Sequence, residues 1–158
     1  MLAVIEKENN MHTITFERTI YHSVAEVWAM LTEKEKLNLW FDELKVEELR
    51  EGGRILFDMQ DGTYEEMRIT ELKVPVVLEF TWGEDIVRFE LYENQNGCIL
   101  KLIEKLHSIT DHTPKDIAGW HVCLDVIEAI LGGAKFPSRK ESWEVLYAQY
   151  IDALKPFH

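Results

Sequence analysis

Cysteine is scarce in this sequence, and so are the other devices that announce a particular chemistry. There are two, Cys98 and Cys123, too few for a disulfide scaffold and without the paired spacing of a zinc site. Both read as small buried hydrophobes. Four prolines and eight glycines leave no collagen-like or low-complexity segment, so each reads as punctuation. No window approaches the ~18 uninterrupted apolar residues of a membrane-spanning helix, which argues against membrane insertion. The opening MLAVIEKENN lacks the basic start and long apolar core of a secretory leader, so the expected location is the cytoplasm. Basic residues are outnumbered, 17 against 29 acidic, for a formal net charge of −12. Such a surface repels a phosphate backbone, which sets nucleic-acid binding aside. G-x-S-x-G, H-E-x-x-H and phosphate-cradling glycine loops are all missing, so the catalytic inventory is poor and no cofactor is implied.

What is present is the composition of a folded domain. The chain has 158 residues, 46% of them hydrophobic and 11% aromatic. That length suits one domain, 1–158, burying roughly 68–70% of its extended-chain surface. His12 to Ile20 alternates, with Ile14, Phe16, Arg18 and Ile20 on one face, and reads as a first strand. Residues 1–11 before it are either a flexible extension or an added edge strand. From Val46 to His107 the pattern is of strands divided by turn residues: Gly52-Gly53, Asp61-Gly62, Pro75, Gly83-Glu84-Asp85 and Asn96-Gly97. Asn-Gly and Asp-Gly supply the positive φ angles of hairpin turns. With the first strand, these predict a curved antiparallel sheet of about seven strands.

Helix signals bracket the sheet. Ser23 with Glu26, Thr32 with Glu35, and Ser138 with Glu141 have capping-box spacing. The first two predict two short helices after the first strand, and the third opens an additional C-terminal helix over 138–155. The longest helix is predicted over Thr113 to Leu131, with Thr113 as N-cap and Pro114 in the first turn. At 100° per residue its Ile117, Trp120, Cys123, Leu124, Ile127, Ile130 and Leu131 share an arc of roughly 140°. An apolar face that wide must cover the sheet. The fold class is therefore α+β, a curved sheet closed by a long helix.

The segments FERTIYHSVAEVWAMLTEKEKLNLWF, EGGRILFDM, EFTWG and Gly119-Trp120 with Leu124 resemble, in order and spacing, the helix-grip fold of the START-like, or SRPBCC, superfamily. Within it they are most similar to the branch named for activators of the heat-shock-protein-ninety ATPase. The resemblance covers most of residues 12–131 and implies a small apolar or amphipathic molecule held between the long helix and the sheet. It also implies a chaperone partner as an alternative. Relatives often carry His where this sequence has Glu104.

Candidate ligand-binding residues are therefore Trp120, Leu124, Ile127 and Leu131 on the helix, Phe80, Trp82 and Glu104 in the sheet, Trp40 after the short helices, and His121. Glu104 shares its strand face with Cys98, Leu100, Leu102 and Leu106. A carboxylate there needs a partner or a raised pKa. Arg18, Arg68 and Arg88 are candidate partners, or else solvated. His121, with Asp125 at i+4, is either a solvated pair on the rim or a donor at a pocket mouth. His107, Asp111, His112 and His121 have no spacing that fixes a metal site, and none is expected. The favoured function is binding of a small hydrophobic or amphipathic ligand. The alternatives are a protein-interaction module, either chaperone regulator or homodimer, and an enzyme using Glu104 with His107 or His121 as acid and base.

Overall fold

Two asparagines start the sheet. Asn9 and Asn10 both take positive φ, 49° and 68°, a conformation that asparagine tolerates better than most residues. They fold strand β1, Val4–Glu8, back onto β2, Met11–Ile20, with Glu8 opposite Met11. This computed structural model describes residues 1–158. Helix α1, Val24–Thr32, follows, with Ser23 and Glu26 in a reciprocal capping box. Helix α2, Lys34–Trp40, starts from Glu33 without a side-chain cap. The second capping box expected at Thr32 does not form, because the Thr32 hydroxyl donates instead to the Trp28 carbonyl at 2.9 Å.

Six strands then run as a meander: β3 (Leu44–Val46), β4 (Arg54–Asp58), β5 (Tyr64–Lys73), β6 (Val77–Trp82), β7 (Asp85–Asn94) and β8 (Gly97–Leu106). Each pairs antiparallel with the next, and β8 pairs with β2, giving the order β1-β2-β8-β7-β6-β5-β4-β3. Eight strands stand where about seven were expected, the addition being β1. The β7–β8 turn also lies one residue earlier than the Asn-Gly signal indicates. Asn94 pairs with Gly97, so Gln95 and Asn96 are the turn. Gly97 is needed for a different reason: a Cβ there would stand 2.6 Å from the His22 carbonyl oxygen, and its φ is 132°.

Helix α3, Thr113–Leu131, crosses the concave face. Its N-cap is His112, since the Thr113 hydroxyl turns back to accept the Thr110 N–H at 2.9 Å. Ile117, Leu124 and Ile127 are completely or almost completely buried, as are Ile14, Leu100 and Leu102 of the sheet. Each such side chain contributes about 1.5–3 kcal/mol relative to exposure. Helix α4, Arg139–Leu154, opens with the Ser138 hydroxyl accepting the Glu141 N–H, one arm of the expected box. Its Leu146, Tyr150 and Leu154 are buried. With them it covers the far side of α3, where Ala118, Val122 and Val126 are also buried. A short 3₁₀ turn, Lys155–Phe157, ends the chain.

The opposite face of the sheet is held by ion pairs. Arg88 donates to Glu71 and Glu79 and pairs with Glu90, while Lys105 approaches Glu79. No helix is long and apolar enough to cross a membrane.

Candidate functional site

The sequence of β8 puts a carboxyl where chemistry disfavours one. Alternation along the strand turns Leu100, Leu102, Glu104 and Leu106 toward the core, with Lys101 and Lys105 outward. Glu104 is completely buried, no donor of the protein reaches its oxygens, and its carboxyl stands against that of Asp116. Burial first, and then the nearby carboxyls of Asp116 and Asp85, push its pKa well above the usual carboxylate range. None of the three arginines considered as partners reaches it. Arg18 donates to Asp125 at 2.6 Å and reaches Glu128 at 3.5 Å, Arg88 lies on the other face, and Arg68 is exposed.

Beside Glu104 the aromatic side chains converge. The Trp82 and Trp120 rings lie 5.2 Å apart, and Phe41 is 5.4 Å from Trp120. Phe57 and Phe80 flank Trp82 at 6.1 and 6.3 Å, and Phe89 flanks Trp120 at 6.1 Å. Edge-on and tilted pairs of this kind add about 0.5–1.5 kcal/mol each beyond area burial. The Trp82 indole N–H donates to Asp116 Oδ1 at 3.1 Å, tying β6 to the first turn of α3. The Trp120 indole N–H is buried and has no partner.

Above this cluster opens a cleft of about 620 Å³, within the range of small-molecule sites. Phe57, Met59, Met67, Trp82 and Leu106 form its apolar wall. Glu65, Glu84, Asp85 and Asp116 bring carboxylates, and His107, His112, Thr110 and Thr113 line the loop side. His107 faces Asp85, its ring Nδ1 at 3.2 Å and its backbone N–H donating at 3.0 Å. No three His, Cys, Asp or Glu side chains converge as a metal-binding group.

Of the residues singled out from the sequence, Trp82 lines this cleft, and Trp120 and Glu104 lie directly behind its wall. Phe80 supports Trp82 from below. Trp40 is packed in the core, its indole N–H donating to the Met30 carbonyl at 2.7 Å. Leu124 and Ile127 are core residues further along α3, and Leu131 is half-buried at its end, roughly 22 Å beyond Asp116 at 1.5 Å per residue. His121 is neither a solvated rim residue nor part of the cleft. It is buried, with Nδ1 2.7 Å from the Tyr150 hydroxyl and Nε2 3.7 Å from Asp125. Burial lowers its pKa to about 4 and raises that of Tyr150 to about 12. Tyr150 also accepts the Ala3 N–H at 3.0 Å, so this group pins β1 to α4. Glu104 meets neither His107 nor His121, and the acid–base pair considered from sequence is not assembled.

Phe57, Met59, Met67, His112, Thr113 and Asp116 were not foreseen as a group. The alternation of β4 and β5 carries a signal for Phe57 and Met67. Asp116 reads in sequence only as a first-turn acid.

With this geometry in hand, comparison with known proteins places the chain. The sequence profile of the family described as "Activator of Hsp90 ATPase homolog 1-like protein" matches residues 21–132. The chain belongs to that family. Its fold is the helix-grip, START-like fold of the SRPBCC superfamily. Among solved structures, it is similar to EF2215 from Enterococcus faecalis, a conserved protein of unknown function. The TM-score is 0.88 at 28% identity, over 99% of this chain and 92% of that one. CalU16 from Micromonospora echinospora gives a TM-score of 0.74 at 20% identity, over 97% and 96% of the two chains. A Bordetella parapertussis protein, BPP1335, gives 0.70 at 21% identity, over 87% and 84%. The last two likenesses speak to the fold alone. No curated protein matches the sequence closely. The family supports a ligand-binding or interaction module in general terms.

Proposed function

We propose that this chain binds a small hydrophobic or amphipathic molecule in the cleft between the first turn of α3 and strands β4 to β8. One observation carries the reading. A cleft of about 620 Å³, walled by Trp82, Phe57 and Met67, opens against Asp116, with the buried Glu104 carboxyl and the unpartnered Trp120 indole N–H behind it. Trp82 and Asp116 are the residues that would meet the ligand, with Trp120 and Glu104 behind them.

Native mass spectrometry of the protein purified from its own host tests the proposal. The expected result is a mass excess that disappears on denaturation. A protein that arrives empty and takes up no small amphipathic molecule on incubation contradicts it.

A second reading, a protein-interaction module, is supported by the chaperone-regulator name of the family. The homodimer form of that reading loses its motive, because α4 occupies the far face of α3. Co-purification with the chaperone would favour the regulator form.

A further inference from the structure

The cleft wall is one-sided in charge. Glu65 from β5, Glu84 and Asp85 from the β6–β7 hairpin and Asp116 from α3 arrive from three separate parts of the fold, and no lysine or arginine lines the same space. Asp116 accepts the Trp82 indole N–H on Oδ1, and its carboxyl stands against that of Glu104. Glu104, a close neighbour of Asp116 and Asp85, is fully buried and has no basic partner. It lies on the same strand face as Leu106, which lines the cleft two residues on. The rings of Trp82 and Phe57 line the same space. Aromatic faces carry negative potential and attract cations within about 6 Å of the ring centre. A carboxylate head group would face the four acids of this wall, whereas a positively charged nitrogen meets carboxylate acceptors and aromatic rings there, with His107, His112, Thr110 and Thr113 confined to the loop side.

We propose that the cleft takes an amphipathic amine, a molecule with an apolar or aromatic body and an ammonium head. The inference rests on the cleft being the ligand site. The body lies against Trp82, Phe57 and Met67. The head donates to the Asp116 carboxylate, with Glu65, Glu84 and Asp85 adding long-range attraction and His107 and His112 at the rim.

The test uses the intact protein and three probe sets with matched bodies. These are phenethylamine, tryptamine and decylamine; the alcohols 2-phenylethanol, tryptophol and decanol; and the acids 3-phenylpropionate, indole-3-propionate and decanoate. Each is titrated to millimolar concentration while the tryptophan indole N–H resonances are followed by NMR. Amines should bind at least ~10-fold more tightly than the matched alcohols, with acids weakest, as charge-assisted hydrogen bonds require. Added salt should weaken the amines alone. Asp116→Asn retains an acceptor for the Trp82 indole, and it should reduce amine affinity by ~10-fold, well beyond its effect on the matched alcohols, which lose no charge-assisted bond. The salt series needs no variant and decides the matter if Asp116→Asn fails to fold. Alcohols or acids binding as tightly as amines would overturn the amine inference and leave the cleft reading standing. Failure of all nine probes to perturb any indole resonance would overturn both.

Discussion

Replacing Glu104 by glutamine should stabilise this protein, and by an amount set by pH. Glutamine keeps the size and shape of the side chain, removes the titration, and offers an N–H donor toward Asp116. The sign follows from the raised pKa of the folded state. Below the carboxyl's ordinary value of 4.5, the folded and unfolded chains both hold the proton and burial carries no ionisation cost. As pH rises past that value the unfolded chain releases its proton while the folded chain retains it. Stability then falls by about 1.4 kcal/mol per pH unit until the folded pKa is passed. The Glu104→Gln variant is free of this loss. At pH 7 its advantage is at most about 3.5 kcal/mol, the product of that slope and the distance from the ordinary carboxyl value. Urea unfolding of both forms at half-unit steps from pH 4.5 to 8, followed by far-ultraviolet circular dichroism, measures the difference. Near-equal stability is expected at pH 4.5, with a growing advantage for the variant above it. A difference independent of pH, or a variant less stable throughout, would show that Glu104 is ionised and well paired, and would refute the reasoning.

Three further outcomes follow from other contacts. Burial holds His121 neutral, with a folded pKa of about 4, so its contribution is full above pH 6.5 and lost as pH falls through 4. Histidine NMR should show it still neutral at pH 5, and His121→Gln should remove at most about 3.5 kcal/mol of acid sensitivity between pH 6.5 and 4. That trend is opposite in sign to the one at Glu104. Arg18→Met leaves Asp125 and Glu128 without their shared partner and should lower stability by about 1–2 kcal/mol in chemical denaturation. Gly97→Ala forces a Cβ against the His22 backbone at 2.6 Å and should cost about 2 kcal/mol or more in the same assay. Gly62→Ala serves as its control, since a Cβ there meets nothing within 4 Å and only its φ of 91° is strained.

The layering of this fold is legible in sequence because it depends on periodicity. Alternation along β2 and β8 and the broad apolar arc of α3 place a sheet under a helix without further information. Asn9-Asn10 is an equally readable turn, hidden only because the few flanking residues are too short a run to declare a strand. Local capping is less legible. Thr32 and Thr113 have the right chemistry to cap, yet each hydroxyl finds a nearer partner, the Trp28 carbonyl and the Thr110 N–H, and sequence spacing does not reveal that competition. Glu104 can be seen as an inward carboxyl from the pattern of one strand. Its neighbours cannot, because Asp116 and Asp85 are brought to it by the direction in which α3 crosses the sheet. The same crossing decides that the cleft opens beside the first turn of α3, whereas Leu124, Ile127 and Leu131, which share the arc of Trp120, lie along the packed remainder. His121 reads as a surface pair with Asp125 until α4 folds over it and supplies Tyr150.

That the cleft beside Trp82 receives a ligand is the central claim, and the five tryptophans provide separate reporters of it. In an indole N–H NMR spectrum recorded with and without the molecule retained from the host, or the tightest of the probes, the resonances of Trp82 and Trp120 should shift together. Those of Trp28 and Trp143, outside the cleft wall, should stay in place. A bound molecule that moves Trp143 or Trp28 and leaves Trp82 and Trp120 untouched would contradict the claim.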